Sequence, residues 1–178
     1  MRVIAGSARG TRLGRPPGGT RPVSDRAREG LFSSLGELVV DARCLDLYAG
    51  TGALGIEALS RGAASGTFVD SSPAAARVIR QNLTRTHLEG RVIRADVLRF
   101  LARPSGPYDL VFLDPPYATP PARVRAAMEA LRDRLAPGAR IAVTRPARSP
   151  TDVVPVDLQV ERRLAYGDTL VLVCREGP

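Results

Sequence analysis

The chain has 178 residues, with 26 arginines and no lysine against 18 acidic residues, for a formal charge of +8; 44% of residues are hydrophobic and 25% charged. This length and composition suit one globular domain with a small appendage, and exclude a disordered chain or a two-domain enzyme. No apolar run approaches the roughly 18 residues that span a bilayer, the start lacks a signal-peptide segment, and Cys44 and Cys174 lie in separate apolar runs, so a cytoplasmic protein is expected, with reduced core cysteines, no disulfide framework and no metal site.

Residues 1–30 hold seven arginines, at 2, 9, 12, 15, 21, 26 and 28, against Asp25 and Glu29, a local charge of +5. Guanidinium groups present planar forks of donors to phosphate, so this excess is a footprint for a polyanion. Only four Tyr, four Phe and no Trp are present, which argues against a broad stacking platform for single strands. Apolar patches at 2–5 and 11–14 flank Gly6-Ser7-Ala8-Arg9-Gly10, predicting a hairpin with an arginine-bearing turn. A Gly/Pro-rich stretch follows over 14–22, and Ser24 then predicts the N-cap of a helix running to about Leu35. Residues 1–36 therefore read as a basic hairpin-helix extension, with Arg9, Arg12, Arg15, Arg21 and Arg26 as its phosphate contacts, and 37–178 as the main domain.

From residue 43 apolar runs alternate with helical periodicity: strands over 43–48, 65–70, 91–95, 109–114 and 139–144, helices over 53–61, 73–86, 97–103 and 120–135. That rhythm predicts an α/β fold, a mainly parallel sheet with helices on both faces. Two further strands, 156–164 and 169–174, are separated by Ala165-Tyr166-Gly167-Asp168, a hairpin that makes the end of the sheet antiparallel.

The first strand ends in Asp46-Leu47-Tyr48-Ala49-Gly50-Thr51-Gly52-Ala53-Leu54-Gly55, a G-x-G-x-x-G pattern between strand and helix. Its glycines allow a tight turn and close approach of a ligand to the backbone at Ala49, Gly50, Thr51, Gly52 and Gly55. Asp70 closes the second strand twenty positions after Gly50, followed by Ser71, where a carboxylate can accept both ribose hydroxyls. On these features NAD and S-adenosylmethionine are both open. Two further acids separate them. Asp96 closes the third strand and can accept from an adenine amino group while the Val97 N–H donates to the ring; Asp46 can meet a methionine ammonium, which NAD lacks. Asp96 is equally suited to cap the next helix.

The fourth strand runs into Asp114-Pro115-Pro116-Tyr117. The paired prolines hold the backbone extended and remove two N–H donors, leaving the Pro115 carbonyl as an acceptor. The lone pair of a nucleobase amine is delocalised into its ring. Hydrogen bonds from its N–H groups to the Asp114 carboxylate and the Pro115 carbonyl favour the pyramidal nucleophile, and Tyr117 offers a π face to an extruded base.

The glycine loop, Asp70, Asp96 and Asp114-Pro115-Pro116-Tyr117, in this order, resemble class I S-adenosylmethionine-dependent methyltransferases that modify amino groups. With Arg21-Pro22-Val23-Ser24-Asp25-Arg26-Ala27-Arg28-Glu29 and Tyr166-Gly167-Asp168-Thr169, nearly the whole chain is similar to the RsmD family, bacterial enzymes that methylate guanine N2 in 16S ribosomal RNA. The resemblance implies a Rossmann-like seven-stranded sheet in the order 3-2-1-4-5-7-6, a substrate presented by the small ribosomal subunit, and a monomer without metal. One departure is that the fifth strand ends in Thr144-Arg145-Pro146, where the resemblance leads one to expect an acidic residue, which leaves the role of this segment open. Three other readings compete. A DNA adenine-N6 methyltransferase needs a target-recognition insertion for which this chain has no room. An NAD oxidoreductase needs a Tyr-Lys pair or a well-placed His, and the single His87 follows a helix away from the strand ends. A non-catalytic ribosome assembly factor has no use for the intact acids and glycines.

Overall fold

A computed structural model describes residues 1–15, 23–148 and 153–177. In chain order the elements are α1 (Asp25–Leu35), β1 (Arg43–Leu47), α2 (Ala53–Ser60), β2 (Ser65–Asp70), α3 (Pro73–Thr86), β3 (Arg91–Arg94), α4 (Val97–Leu101), β4 (Tyr108–Leu113), α5 (Pro121–Ala130), β5 (Leu135–Pro146), β6 (Leu158–Tyr166) and β7 (Thr169–Glu176). The seven strands form one sheet in the order β3-β2-β1-β4-β5-β7-β6. The first five are parallel, and β7 is antiparallel to both β5 and β6. This is the α/β architecture and strand order expected. All five parallel strands end on one side, so the loops after β1, β2, β3 and β4 share a single rim, where ligands bind in sheets of this kind.

Alternation along the strands divides the core in two. Leu45, Leu47, Val111, Leu113, Ile141 and Leu172 pack with α4 and α5. Cys44, Leu110, Phe112, Ala142 and Val171 face the opposite way, against Leu31, Phe32 and Leu35 of α1 and Leu54 and Ala58 of α2. The α1 helix begins as its sequence dictates: the Ser24 hydroxyl accepts from the Ala27 N–H and Asp25 stands in the first turn. Its inner face lies over the sheet, so the helix of the N-terminal extension is part of the core.

Several boundaries differ from those predicted. The helix expected over 120–135 ends at Ala130, a 3₁₀ turn covers Arg132–Arg134, and β5 begins at Leu135 instead of 139. A register shift opposite Tyr108 and Leu110 lets Leu135 pair early and absorbs Pro137 and Gly138 as an irregularity. As read from the sequence, the fifth strand ends in Thr144-Arg145-Pro146, here paired with Val171, Leu170 and Thr169 of β7. The tail turn shrinks to Gly167-Asp168, a two-residue hairpin connection with Gly167 at φ +60°. The N-terminal hairpin makes a single bridge, Arg2 to Arg12, with bonds from the Val3 N–H to the Thr11 carbonyl and from the Leu13 N–H to the Met1 carbonyl.

Cys44 on β1 and Cys174 on β7 are both buried free thiols. With β4 and β5 between their strands they stand three strand spacings apart, about 14 Å, beyond the roughly 7 Å reach of a disulfide. Burial pushes both thiols up to about 12. Thiol titration should therefore count two groups in unreduced, unfolded protein, and both should react slowly in the native state. A count of zero after unfolding would contradict this topology. No helix among the described residues is long and apolar enough to cross a membrane.

Candidate functional site

The turn after β1 is built by three positive-φ residues, Tyr48 (58°), Gly50 (55°) and Gly52 (75°), which fold the chain back into α2. A Cβ on Gly50 would meet only the Tyr48 carbonyl, at 3.8 Å, so the face of the loop is open to a ligand's close approach. Gly55 serves packing instead. A Cβ there would come within 2.4 Å of the Phe68 ring on β2. Gly55→Ala should accordingly lower stability by about 1–3 kcal/mol through overpacking, read as a reduced denaturation midpoint. An unchanged midpoint would mean that the ring moves aside without cost.

Two acids fix this loop. Buried Asp46 on β1 accepts from the Gly55 N–H at 2.9 Å, tying the strand to the first turn of α2. Burial holds its carboxyl well above the usual range; the Gly55 bond opposes that shift, and Asp114 and Asp70 add to it. Asp70, at the end of β2, accepts from the Gly50 N–H and from the Ser72 N–H, each at 2.8 Å. Each of its oxygens keeps a further acceptor site, as pairing with a vicinal diol requires. Ser71 is exposed beside it. Ala49 is held to β2 through its N–H and the Val69 carbonyl, and the Thr51 carbonyl accepts from Asn82 at 2.9 Å.

Asp96 takes the cap role that its position also offered. Its Oδ1 accepts from Leu98 and Arg99 as the N-cap of α4, while Oδ2 pairs with Arg123 at the start of α5. Val97 is the first residue of that helix, where no carbonyl lies one turn back to accept its N–H. The Tyr48 hydroxyl lies close by. Burial raises its pKa and Arg123 opposes the rise. The acid foreseen for an adenine amine is thus already linked to α5 by a cation that sequence reasoning did not connect to it.

Asp114 follows the last residue of β4, and its N–H donates to the Leu47 carbonyl of β1 at 3.3 Å, which puts the Asp-Pro-Pro-Tyr segment against the strand that carries the glycine loop. Its carboxyl is pushed up to about 6 by burial, with the Thr144 hydroxyl bond pulling the other way. Pro115 is buried and Pro116 exposed. Tyr117 is 48% exposed, and its hydroxyl meets the Thr169 hydroxyl on β7 at 3.0 Å, so the ring is held at its far end with a face left to solvent.

The N-terminal residues lie against α2, the helix that leaves the glycine loop. Glu57 of α2 is 0% exposed and accepts from the Ile4 and Ala5 N–H groups at 2.8 and 3.0 Å and from Arg61 at 2.8 Å. Ser60 bonds to Ala5 and Ala8, and buried Asn82 of α3 joins both backbone groups of Gly14 to the Thr51 carbonyl. Arg28, counted above with the surface charge, is instead 0% exposed: it donates to the Arg2 carbonyl and to Asp25 and lies 3.7 Å from Glu57. Burial draws its guanidinium below its ordinary pKa, against the pull of Glu57 and Asp25. Arg9, Arg12, Arg15 and Arg26 are exposed, as a phosphate-binding role requires; Arg21 lies outside the described residues.

A family model described as Conserved hypothetical protein 95 matches residues 1–175. The chain is 43% identical over 119 residues to the ribosomal RNA small subunit methyltransferase D of Escherichia coli strain K12, a match covering 66% of this chain and 60% of that protein. It is 39% identical over 125 residues to the protein of the same name in Haemophilus influenzae, covering 66% of this chain and 64% of the relative. Among solved structures, a candidate methyltransferase from Escherichia coli superposes with a TM-score of 0.86 at 35% identity, covering 99% of this chain and 97% of that one.

Proposed function

We propose, from the premise that the chain belongs to the RsmD family, whose model carries the description Conserved hypothetical protein 95, that it methylates the exocyclic N2 amine of a guanine in 16S ribosomal RNA on the small subunit, with S-adenosylmethionine as methyl donor. The observation that carries this reading is the bond from the Asp114 N–H, just past β4, to the Leu47 carbonyl of β1, with the Asp-Pro-Pro-Tyr segment beside the strand that leads into the glycine loop. The loop suits the cofactor: its face is open at Gly50, and the acids around it are acceptors for the donors of an adenosyl and an amino-acid group. Ala49, Gly50, Thr51 and Gly52 would form the cradle, with Gly55 packed behind it against Phe68; Asp46 would meet the ammonium, Asp70 and Ser71 the ribose, and Asp96 and Val97 the adenine. When bound, S-adenosylmethionine supplies an electrophilic methyl group on a sulfonium.

The chain's own residues prepare the nucleophile. Tyr117 stacks on the extruded guanine, while Asp114 and the Pro115 carbonyl accept the two N–H bonds of its amine and draw the lone pair out of conjugation. Pro116 keeps that segment extended. As the new N–C bond forms and the methyl–sulfur bond breaks to leave a neutral thioether, the amine nitrogen becomes cationic and releases one proton toward the carboxylate, which is ionised above about pH 6. Mass spectrometry of ribosomal RNA nucleosides from a strain lacking the gene should reveal one missing N2-methylguanosine, restored by the purified protein acting on small subunits. Loss of N6-methyladenine from DNA instead would establish the adenine-modifying alternative.

Residues 1–36 serve in this reading as the RNA-binding extension of a methyltransferase domain at 37–178, in a cytoplasmic monomer that needs no metal. Each neutralised phosphate contributes about −0.7 to −0.9 to the slope of log affinity against log salt. Replacing Arg9, Arg12, Arg15 and Arg26 with glutamine should weaken binding to small subunits and flatten that slope, with cofactor affinity unchanged. An unaltered KM and slope would shift recognition to the loop after Tyr117, where Arg123 and Arg125 follow.

A further inference from the structure

The end of β5 brings Thr144 against Asp114. β4 and β5 run parallel with Leu113 opposite Val143, so the next pair in register is Asp114 and Thr144. Thr144 is 1% exposed, its backbone is locked by pairing with Val171, and its hydroxyl donates to Asp114 Oδ1. A threonine side chain has few rotamers and a single donor, and here that donor is committed to the carboxylate.

We propose that Thr144 is a positioning residue for methyl transfer: its hydroxyl engages one oxygen of Asp114, leaving the other aimed at the incoming amine. This rests on the reading of Asp114 as the acceptor of that amine. A hydroxyl donor also favours the ionised, acceptor-only form of the carboxyl, and so resists the upward pull of burial. Asp46 on β1 is of like sign, and the guanidinium of Arg145, next on β5, reaches the Thr119 carbonyl. An acidic side chain at 144 would set a second carboxyl against Asp114 and raise its pKa further.

The test compares Thr144→Val, which keeps the shape and removes the donor, with Thr144→Ser, which restores it. In cofactor-free protein, carboxyl NMR should show Asp114 titrating about one pH unit higher in Thr144→Val, and at the original position in Thr144→Ser. In turnover, Thr144→Val should lower kcat about tenfold near pH 8 and more near pH 6, with both KM values unchanged, and Thr144→Ser should recover the profile. Thr144→Ala carries the same expectation should valine prevent folding. A loss of melting temperature with the Asp114 titration and the acid limb both unmoved would reduce Thr144 to a packing residue and overturn the proposal. Full turnover by Asp114→Ala would instead overturn the reading of Asp114, so the two failures are separable.

Discussion

Asp114→Ala is expected to cut methylation of small-subunit RNA by roughly 10²-fold or more, the scale for losing a positioned acceptor at the reacting centre, while S-adenosylmethionine affinity stays close to that of the parent. The split follows from placement: the carboxylate sits half-buried just past β4 and is bonded to Thr144, whereas Asp70 and Asp46 hold the glycine loop. Near-normal single-turnover methylation by this variant would remove Asp114 from the chemistry. The pH dependence has a definite sign. With its folded pKa near 6, above the ordinary 3.8, the carboxyl should lose activity as pH falls through about 6. Stability moves the other way. The folded state favours the protonated form, so stability present at low pH is lost as pH rises between about 4 and 6, by at most ~3 kcal/mol for this shift. Asp114→Asn, which keeps an acceptor for Thr144, should therefore melt higher than the parent at pH 8 and equally at pH 4. Equal melting at both would show that the carboxyl is better solvated than its burial suggests.

What the sequence made legible is what chemistry writes locally. The glycine loop, the acids closing three strands and the Asp-Pro-Pro-Tyr segment are contiguous motifs at strand ends, and the βα rhythm places those ends on one rim. The partners of those residues lie elsewhere in the chain. Thr144 meets Asp114 because β5 pairs with β4 in one register, and no pattern near residue 144 carries that register. Asn82 looks like any polar residue of an amphipathic helix, yet it is buried and joins Gly14 to Thr51. Arg28 and Glu57 are charged residues of kinds that usually face solvent, but α2 is buried all round because the N-terminal residues cover its outer side. Periodicity alone reports one apolar face. It cannot report that a later-packed segment of the same chain hides the other. The cap role of Asp96 was legible as an alternative, and its pairing with Arg123 was not, since α5 approaches it only through the fold.

Glu57→Ala should be the most destabilising single change outside the hydrophobic core, by about 3–5 kcal/mol, the range for breaking a buried ionic network from one side. The substitution would strand the Ile4 and Ala5 N–H groups and leave buried Arg28 with only Asp25 as an acidic partner. Because those bonds attach the N-terminal hairpin to α2, that hairpin should open before the sheet does: trypsin should cut after Arg9 or Arg12 at denaturant concentrations where the parent is intact. An unchanged midpoint and cleavage pattern would mean that water replaces the carboxylate without loss. The same variant separates two meanings of the N-terminal segment. If its arginines acted only as phosphate contacts, loosening the hairpin would weaken RNA binding alone, as the glutamine replacements should. Yet α2 starts at the glycine loop, and Asn82 ties Gly14 to the Thr51 carbonyl. Releasing the hairpin should therefore also raise the KM for S-adenosylmethionine in Glu57→Ala, an effect absent from the arginine variants, because the hairpin braces the glycine loop through Asn82.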